Sequence, residues 1–255
     1  MSDIDQRLAQ RAAMVSDPLN TNPTSLIGQP KGTLPNTMLV VSLIAFALGI
    51  SFSAGIVILA LAWPGTAYQL GFFVAAWSFF HFAEFAVTAG WNRDKLSVDS
   101  FLLNNGIAYH IANGSAVVEW AVVYYFKPQW KAWPYVSAAG VVVTLIGQLS
   151  RSMAMIHAST NFSHQVAFRK AATHKLVTDG VYAWSRHPSY AGFFYWGLGT
   201  QLALQNPVTF AVFLVVLWRF FSERIKGEEK YLIRFFGDDY VAYKGRVGTK
   251  LPFIS

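Results

Sequence analysis

His174, Lys175, Tyr182, Arg186, His187 and Tyr190 fall within 17 residues of a chain that is otherwise largely apolar. Cations and ring N–H groups recognise an anion, and tyrosine faces receive a flat ring, so this set suits a small polar molecule. Asp179-Gly180 is a turn signal. Pro188 fits the first position of a helix, where its missing N–H would be unpaired anyway, which makes His187 the expected N-cap. The N–H groups of the turn at 188–190 would then point at a carboxylate or phosphate. A second cluster, Glu223, Arg224, Glu228 and Glu229, follows the next apolar run. Arg224 and Glu228 are four apart and share one helical face. Arg224 suits a carboxylate, because its guanidinium stays charged and presents a planar fork; the competing role is a surface anchor paired with Glu228.

The elements that must carry these groups are apolar helices. The chain has 255 residues, 54% hydrophobic and only 13% charged, against roughly 25% charged for soluble domains. That deficit, with long apolar runs, predicts an all-α, polytopic membrane bundle of about six transmembrane helices. The predicted spans are 37–63, 67–91, 106–126, 134–157, 188–204 and 208–221. The first exceeds the ~30 Å hydrocarbon core and is read as one tilted span rather than a hairpin broken at Gly49 or Gly55. Gln205-Asn206-Pro207 closes a tight antiparallel hairpin. Residues 224–255 read as a basic amphipathic segment, and 1–32, polar with Pro18, Pro23 and Pro30, as a disordered cytosolic tail. The organisation is thus a tail at 1–32, N-terminal membrane helices at 33–157 and a catalytic region at 158–255.

Lysine and arginine set the orientation. Arg7, Arg11 and Lys31 in the tail, Arg93 and Lys95, the 158–187 connection and seven residues after 223 lie on one side, against Lys127 and Lys131 on the other. This places both polar clusters at the cytosolic face. Glu84, Glu119, Arg151 and Arg219 fall inside predicted spans, where each must pair across helices or snorkel; Arg151 and Arg219 are near cytosolic ends, where snorkelling suffices. His81 and His110 are read as interhelical hydrogen-bonders. No His or carboxylate spacing forms a metal site. The absence of cysteine excludes disulfides, thiolate metal sites and palmitoylation. Gly197 and Gly199 lie in an apolar helix and do not follow a strand, so their GxG is a packing feature and no dinucleotide fingerprint.

Four segments carry a resemblance: HxLVTxGVYxxxRHPSYxG at 174–192, RxxxEE at 224–229, FFGDDYxxYxxRV at 235–247 and LPFI at 251–254. Together they resemble the isoprenylcysteine carboxyl methyltransferases, multi-pass enzymes of the endoplasmic reticulum membrane with a cytosolic active site. Phospholipid methyltransferases and sterol reductases carry pieces similar to RHPxYxG alone. The resemblance implies S-adenosylmethionine as cofactor and, as partners, the bilayer and prenylated protein C-termini bearing farnesyl or geranylgeranyl cysteine in CaaX processing. It implies cofactor contacts at His174, Lys175, Leu176, Val177, Tyr182, His187, Pro188, Ser189, Tyr190 and Glu228. Ala167 stands where a cofactor-contacting Gln is common in the family; His164 is the expected substitute. Arg224 is assigned to the substrate carboxylate, with Arg246 beside it, and Arg186 as a catalytic cation that pairs with a carboxylate or with Glu228.

The alternatives are a methyltransferase for phospholipids or other small lipids, an NADPH-dependent sterol reductase and a non-enzymatic scaffold. An amine acceptor would favour carboxylates over Arg224. A reductase would need a larger bundle and more basic groups. A scaffold leaves the concentration of polar groups at one mouth unexplained. A prenyl chain gains about 0.8 kcal/mol per CH₂ in lipid, so a lateral gap between helices is expected to admit it, with Gly192, Gly197 and Gly199 either packing closely or leaving room.

Overall fold

The computed structural model describes residues 34–170 and 174–254. The tail expected at 1–32, with Arg7, Arg11 and Lys31, lies outside the described residues. The described residues are helical, with no strand among them: α1 (Met38–Ala62), α2 (Tyr68–Trp91), α3 (Ile107–Phe126), α4 (Pro134–Ala158), α5 (Pro188–Leu204), α6 (Pro207–Phe236) and α7 (Asp238–Arg246). Met38–Ala62, Tyr68–Trp91 and Pro134–Asn161 are each long and apolar enough to cross a membrane. α1 is one unbroken helix. A Cβ on its Gly55 would lie 2.6 Å from the Ala75 nitrogen of α2, so the residue read as a possible break is a packing point.

α4 and α5 lock together through small residues. A Cβ on Gly147 would meet the Trp196 nitrogen at 2.5 Å, one on Gly199 the Thr144 nitrogen at 2.5 Å, and one on Gly192 the Arg151 nitrogen at 2.7 Å. Backbones approach closely there because side chains are missing, the device by which helices associate in lipid. Gly192 and Gly199 therefore pack; Gly197 faces Leu217 of α6.

α5 and α6 form an antiparallel pair. Phe194 and Leu198 share a core with Phe213, Phe221, Ile225, Leu251 and Ile254. The turn between them is built from outside. Lys131, 1% exposed, donates to the Leu204 and Gln205 carbonyls at 2.8 and 3.1 Å and to Asn206 Oδ1 at 2.6 Å, satisfying the carbonyls that end α5. Glu119 of α3 accepts from Val208 N at 2.9 Å and Thr209 N at 2.7 Å, supplying the cap that α6 lacks locally. Burial lowers the Lys131 ammonium to about 8.

α6 departs most from expectation. The apolar run ends at Phe221, but the helix continues to Phe236, 30 residues in all, or about 45 Å. Its last turns lie past the apolar run and carry Arg224, Glu228 and Glu229. Gly237, at φ 55°, reverses the chain into α7. Residues 247–254 then run back beside 185–186: Arg186 N donates to the Gly248 carbonyl at 3.1 Å and Ser185 Oγ to the Thr249 carbonyl at 2.7 Å.

Of the charges expected within spans, Glu84 and Arg151 form a buried pair, Nη2 to Oε2 at 2.9 Å, with a second bond from Nε to Oε1. Arg151 also donates to Ser189 Oγ at 2.9 Å. It is 6% exposed, so it pairs inside the bundle and does not snorkel. Arg219 pairs with Glu223 on an exposed face. His81 bonds the Phe101 carbonyl and Tyr109 hydroxyl; His110 is exposed.

Candidate active site

Two clefts meet at the face where α4 ends and α5 begins. One holds about 140 Å³ and is lined by Lys175, Leu176, Val177, Tyr182, Arg186, His187, Pro188, Ser189, Tyr190 and Glu228. Ten of the sequence-selected residues thus converge. Leu232 and Phe236 of α6 and Tyr240 and Tyr243 of α7 complete its walls. The second cleft, about 110 Å³, is lined by Leu102, Asn105, Arg151, His164, Phe193, Phe220, Phe221 and Arg224. The two share Phe162, Ser163, Ser189 and Tyr190.

The 158–187 connection is pinned so that its residues reach the first cleft. Lys95 Nζ donates to the carbonyls of Thr160 and Phe162 at 2.8 and 2.5 Å, and Asn92 Nδ2 to the latter at 3.0 Å. Lys175 N bonds Asn161 Oδ1 at 2.8 Å. A turn at 180–183 presents Tyr182, whose hydroxyl donates to the Ala154 carbonyl at 3.2 Å. Burial pushes the Tyr182 phenol well above its ordinary range, with Glu228 adding to the effect, so it stays neutral.

An ion cluster fixes the wall between α5 and α6. Glu229, 5% exposed, receives Arg186 Nε at 2.5 Å, Lys244 Nζ at 2.5 Å, His187 Nε2 at 3.2 Å and the Tyr240 hydroxyl at 3.3 Å. Burial opposes ionisation of Glu229, but hydrogen bonds from His187, Lys244 and Arg186 outweigh it and hold its carboxyl far below the usual range. Arg186 thus binds Glu229, not Glu228. The partner changes because Glu229 points at α7 and 185–187, while Glu228, one residue earlier and about 100° around the helix, points into the cleft. Two buried atoms in that wall have no hydrogen-bond partner among the described residues: Arg186 Nη2 and Glu228 Oε2. A buried donor and acceptor left open in this way ask for a ligand.

Other sequence-selected residues lie elsewhere. His164 turns its ring to Glu84, Nε2 to Oε2 at 2.9 Å, and lines the second cleft. His174 and Ala167 border a smaller hollow against Tyr231 and Phe235 that shares Lys175 and Glu228 with the first cleft. Burial lowers the His174 imidazole, and Lys95 and Lys170 add to this. Arg246 is exposed on α7 and lines neither cleft. Arg224 makes no ion pair with Glu228: its Nε donates to the Tyr190 hydroxyl at 2.9 Å and Nη2 to the His164 carbonyl at 2.5 Å. The anion site expected at 188–190 narrows, since Pro188 has no N–H and that of Tyr190 donates to the His187 carbonyl at 3.1 Å.

Several comparisons bear on this arrangement. The model of the isoprenylcysteine carboxyl methyltransferase family matches residues 140–234. A protein-S-isoprenylcysteine O-methyltransferase of Rattus norvegicus is 44% identical over 208 residues, 81% of this chain and 72% of its own. One of Saccharomyces cerevisiae is 47% identical over 188 residues, 71% of this chain and 79% of its own. The solved structure of the eukaryotic intramembrane Ras methyltransferase, an isoprenylcysteine carboxyl methyltransferase, superposes with a TM-score of 0.81 at 40% identity, over 84% of this chain and 77% of that one. With two joined clefts, a helical fold shared with that enzyme and relatives above 40% identity over most of its length, the chain belongs to the isoprenylcysteine carboxyl methyltransferase family.

Proposed function

We propose that this chain transfers a methyl group from S-adenosylmethionine to the C-terminal carboxylate of prenylated cysteine in CaaX-processed proteins. The observation that carries this reading is the pair of clefts sharing Ser189 and Tyr190, one polar and closed by ion pairs, the other aromatic with half-buried Arg224 beside an Arg151 already paired to Glu84. The residues of the first fit the cofactor. Arg186 Nη2 and Glu228 Oε2 offer a donor and an acceptor to an amino-acid end, and Leu176, Val177, Leu232 and Phe236 offer apolar walls to a nucleoside. When bound, the cofactor supplies an electrophilic methyl on sulfur, which leaves as a neutral thioether.

The chain's own work is positioning. A carboxylate is already ionised at neutral pH, so no proton moves. The new bond joins a carboxylate oxygen to the methyl carbon. Arg224 orients the acceptor and does not need to activate it: Tyr190 and the His164 carbonyl hold its Nε and Nη2, and Nη1 has no protein partner among the described residues. Phe193, Phe220 and Phe221 keep water away, which sharpens the nucleophile and gives a prenyl chain an apolar path from the bilayer.

We read the enzyme as a six-span protein of the endoplasmic reticulum membrane, with α1–α6 as spans, 158–255 as its catalytic region and both clefts facing the cytosol. The basic excess on that side supports this, as does the burial of Lys131 in the opposite turn. α5, at 17 residues, covers about 25 Å and needs the tight turn to span. Cysteine at exposed Val208 is expected to label only from the lumenal side and cysteine at Thr178 only from the cytosolic side. The decisive assay is tritium transfer from labelled S-adenosylmethionine to N-acetyl-S-farnesylcysteine, with an alkali-labile ester expected. Protein that binds S-adenosylhomocysteine yet leaves farnesylcysteine unlabelled would end this reading.

A further inference from the structure

A third cavity, of about 710 Å³, lies outside the two clefts and touches the first only at Pro188. It runs over the seam where Gly147 and Gly192 let α4 and α5 touch. Val143, Ile146 and Tyr195 line its apolar length. The end near the start of α5 carries polar groups: Lys250 lies against Trp184, and His157 lines the same cavity. From Val143 to His157 is 14 residues, about 21 Å of helix, which matches one leaflet of a ~30 Å core with its headgroup zone. The volume falls within the roughly 300–1,000 Å³ of small-molecule sites.

The polar end is built for an anion. Lys250 Nζ sits 5.3 Å from the Trp184 ring centre and is exposed. His157 Nδ1 accepts from Val181 N at 3.0 Å, so its proton lies on Nε2, which is a donor. No carboxylate lines the cavity. Tryptophan and lysine at one end of an apolar groove also mark the membrane interface, and basic pockets between membrane helices on the cytosolic side receive acidic headgroups. The groove does not serve the acceptor. It shares only Pro188 with the first cleft and no residue with the Arg224 cleft, so a chain lying in it delivers no carboxylate to the donor side.

We propose that this groove binds one acidic phospholipid, its phosphate between Lys250 and His157 and one acyl chain along the α4–α5 seam. Occupancy braces the donor cleft from behind: Val181 lines the groove while the adjacent Tyr182 lines the cleft, and Pro188 lines both. Placement in the cytosolic leaflet rests on the orientation proposed above; the binding itself does not.

The test uses full-length protein in nanodiscs of phosphatidylcholine, alone or with a minority of phosphatidylserine. Native mass spectrometry reads retained lipid, and calorimetry reads S-adenosylhomocysteine affinity; neither readout depends on methyl transfer. One phosphatidylserine per chain is expected, with S-adenosylhomocysteine binding tightened about fivefold. Lys250→Gln is expected to lose the preference for the acidic lipid, and Val143→Trp to exclude the chain, both with unchanged methyl transfer in phosphatidylcholine. Equal retention of both lipids, or undiminished phosphatidylserine in both variants, would overturn the site. Displacement of the lipid by glycerol 3-phosphate would replace it with a free-phosphate site. A dimer that retains no lipid and is broken by Val143→Trp would replace it with a contact between copies. Identical S-adenosylhomocysteine affinities with and without phosphatidylserine would overturn the bracing.

Discussion

The clefts proposed for donor and acceptor share a wall, yet they are held in opposite ways. On the donor side Glu229 alone has four hydrogen-bonded partners from two segments, and 185–186 is stitched to 247–249. On the acceptor side Arg224 rests on one hydroxyl and one carbonyl, amid aromatic rings. A donor that is the same in every turnover rewards a site rigid before binding. An acceptor arriving on a lipid chain from varied proteins rewards a greasy slot with one orienting cation. Loss of a strut on the donor side should therefore cost folding first, whereas loss of the acceptor cation should cost turnover alone.

The largest expected effect tests the first half of that contrast. Glu229→Gln leaves Arg186 buried with its charge uncompensated, a change worth about 3–5 kcal/mol. The variant is expected to unfold at markedly lower temperature in detergent and to bind S-adenosylhomocysteine poorly. The carboxyl of Glu229 is held below its unfolded value near ~4.3, so its contribution is complete above that pH and lost as pH falls further. Wild type should lose thermal stability on acidification below about pH 4, and Glu229→Gln should show a flatter profile. Equal stability of the two proteins at pH 7 would break the comparison.

Arg224→Ala tests the other half. It is expected to cost about 2–3 kcal/mol in kcat/KM on farnesylcysteine, roughly 30- to 150-fold, with melting temperature and S-adenosylhomocysteine affinity near wild type. Arg224→Lys keeps the charge without the fork and should recover binding more than kcat. Near-wild-type turnover in Arg224→Ala would hand the acceptor to Arg151, which lines the same cleft.

The same contrast decides what the sequence could reveal. The donor side was largely legible because Lys175 to Tyr190 is one contiguous polar run in an apolar chain. Tyr240 and Tyr243 were visible inside the GDDYxxYxxRV segment but carried no assigned role; their signal was two tyrosines three apart, where α7 turns one face to the cleft. The acceptor side was mostly illegible. Leu102, Phe193 and the Phe220-Phe221 pair come from separate elements and match lipid-facing residues in type, so only packing distinguishes them. The limits of the long helices followed from apolar length, except in α6. Its charged extension keeps helix-forming Glu, Lys and Arg up to Gly237, and hydrophobicity reports the membrane rather than the helix. Arg151 was misjudged because a cation near a span end snorkels unless the fold brings it a buried partner, and Glu84 did so.

Glu228→Gln sharpens the donor side by separating ligand contact from scaffold. Glu228 adjoins Glu229 yet makes no hydrogen bond through its buried Oε2. The amide keeps shape and loses charge, so S-adenosylhomocysteine binding should weaken about tenfold, near 1.4 kcal/mol, without the drop in melting temperature seen in Glu229→Gln. A parallel loss of stability in both would mean that the two glutamates act as one structural unit.

The smallest effect falls on the shared wall. Tyr190 stacks on His187, with ring centres 5.5 Å apart and planes 5° from parallel, and on Phe221 at 5.3 Å. Its ring is therefore part of both clefts. Its hydroxyl accepts from Arg224 Nε, and in the proposed assignment that bond serves the acceptor. Tyr190→Phe keeps the wall and removes one neutral group bonded to a cation, worth about 1 kcal/mol. Arg224 keeps the His164 carbonyl but gains freedom to swing. The loss should appear in kcat/KM for farnesylcysteine, roughly fivefold, with S-adenosylhomocysteine affinity unchanged. Tyr190→Ala removes the ring as well and should lower both. If Tyr190→Phe instead weakened S-adenosylhomocysteine while sparing kcat/KM, the hydroxyl would belong to the donor side. Arg224 would then be held by a single carbonyl, and the fork would owe its aim to the bound carboxylate itself.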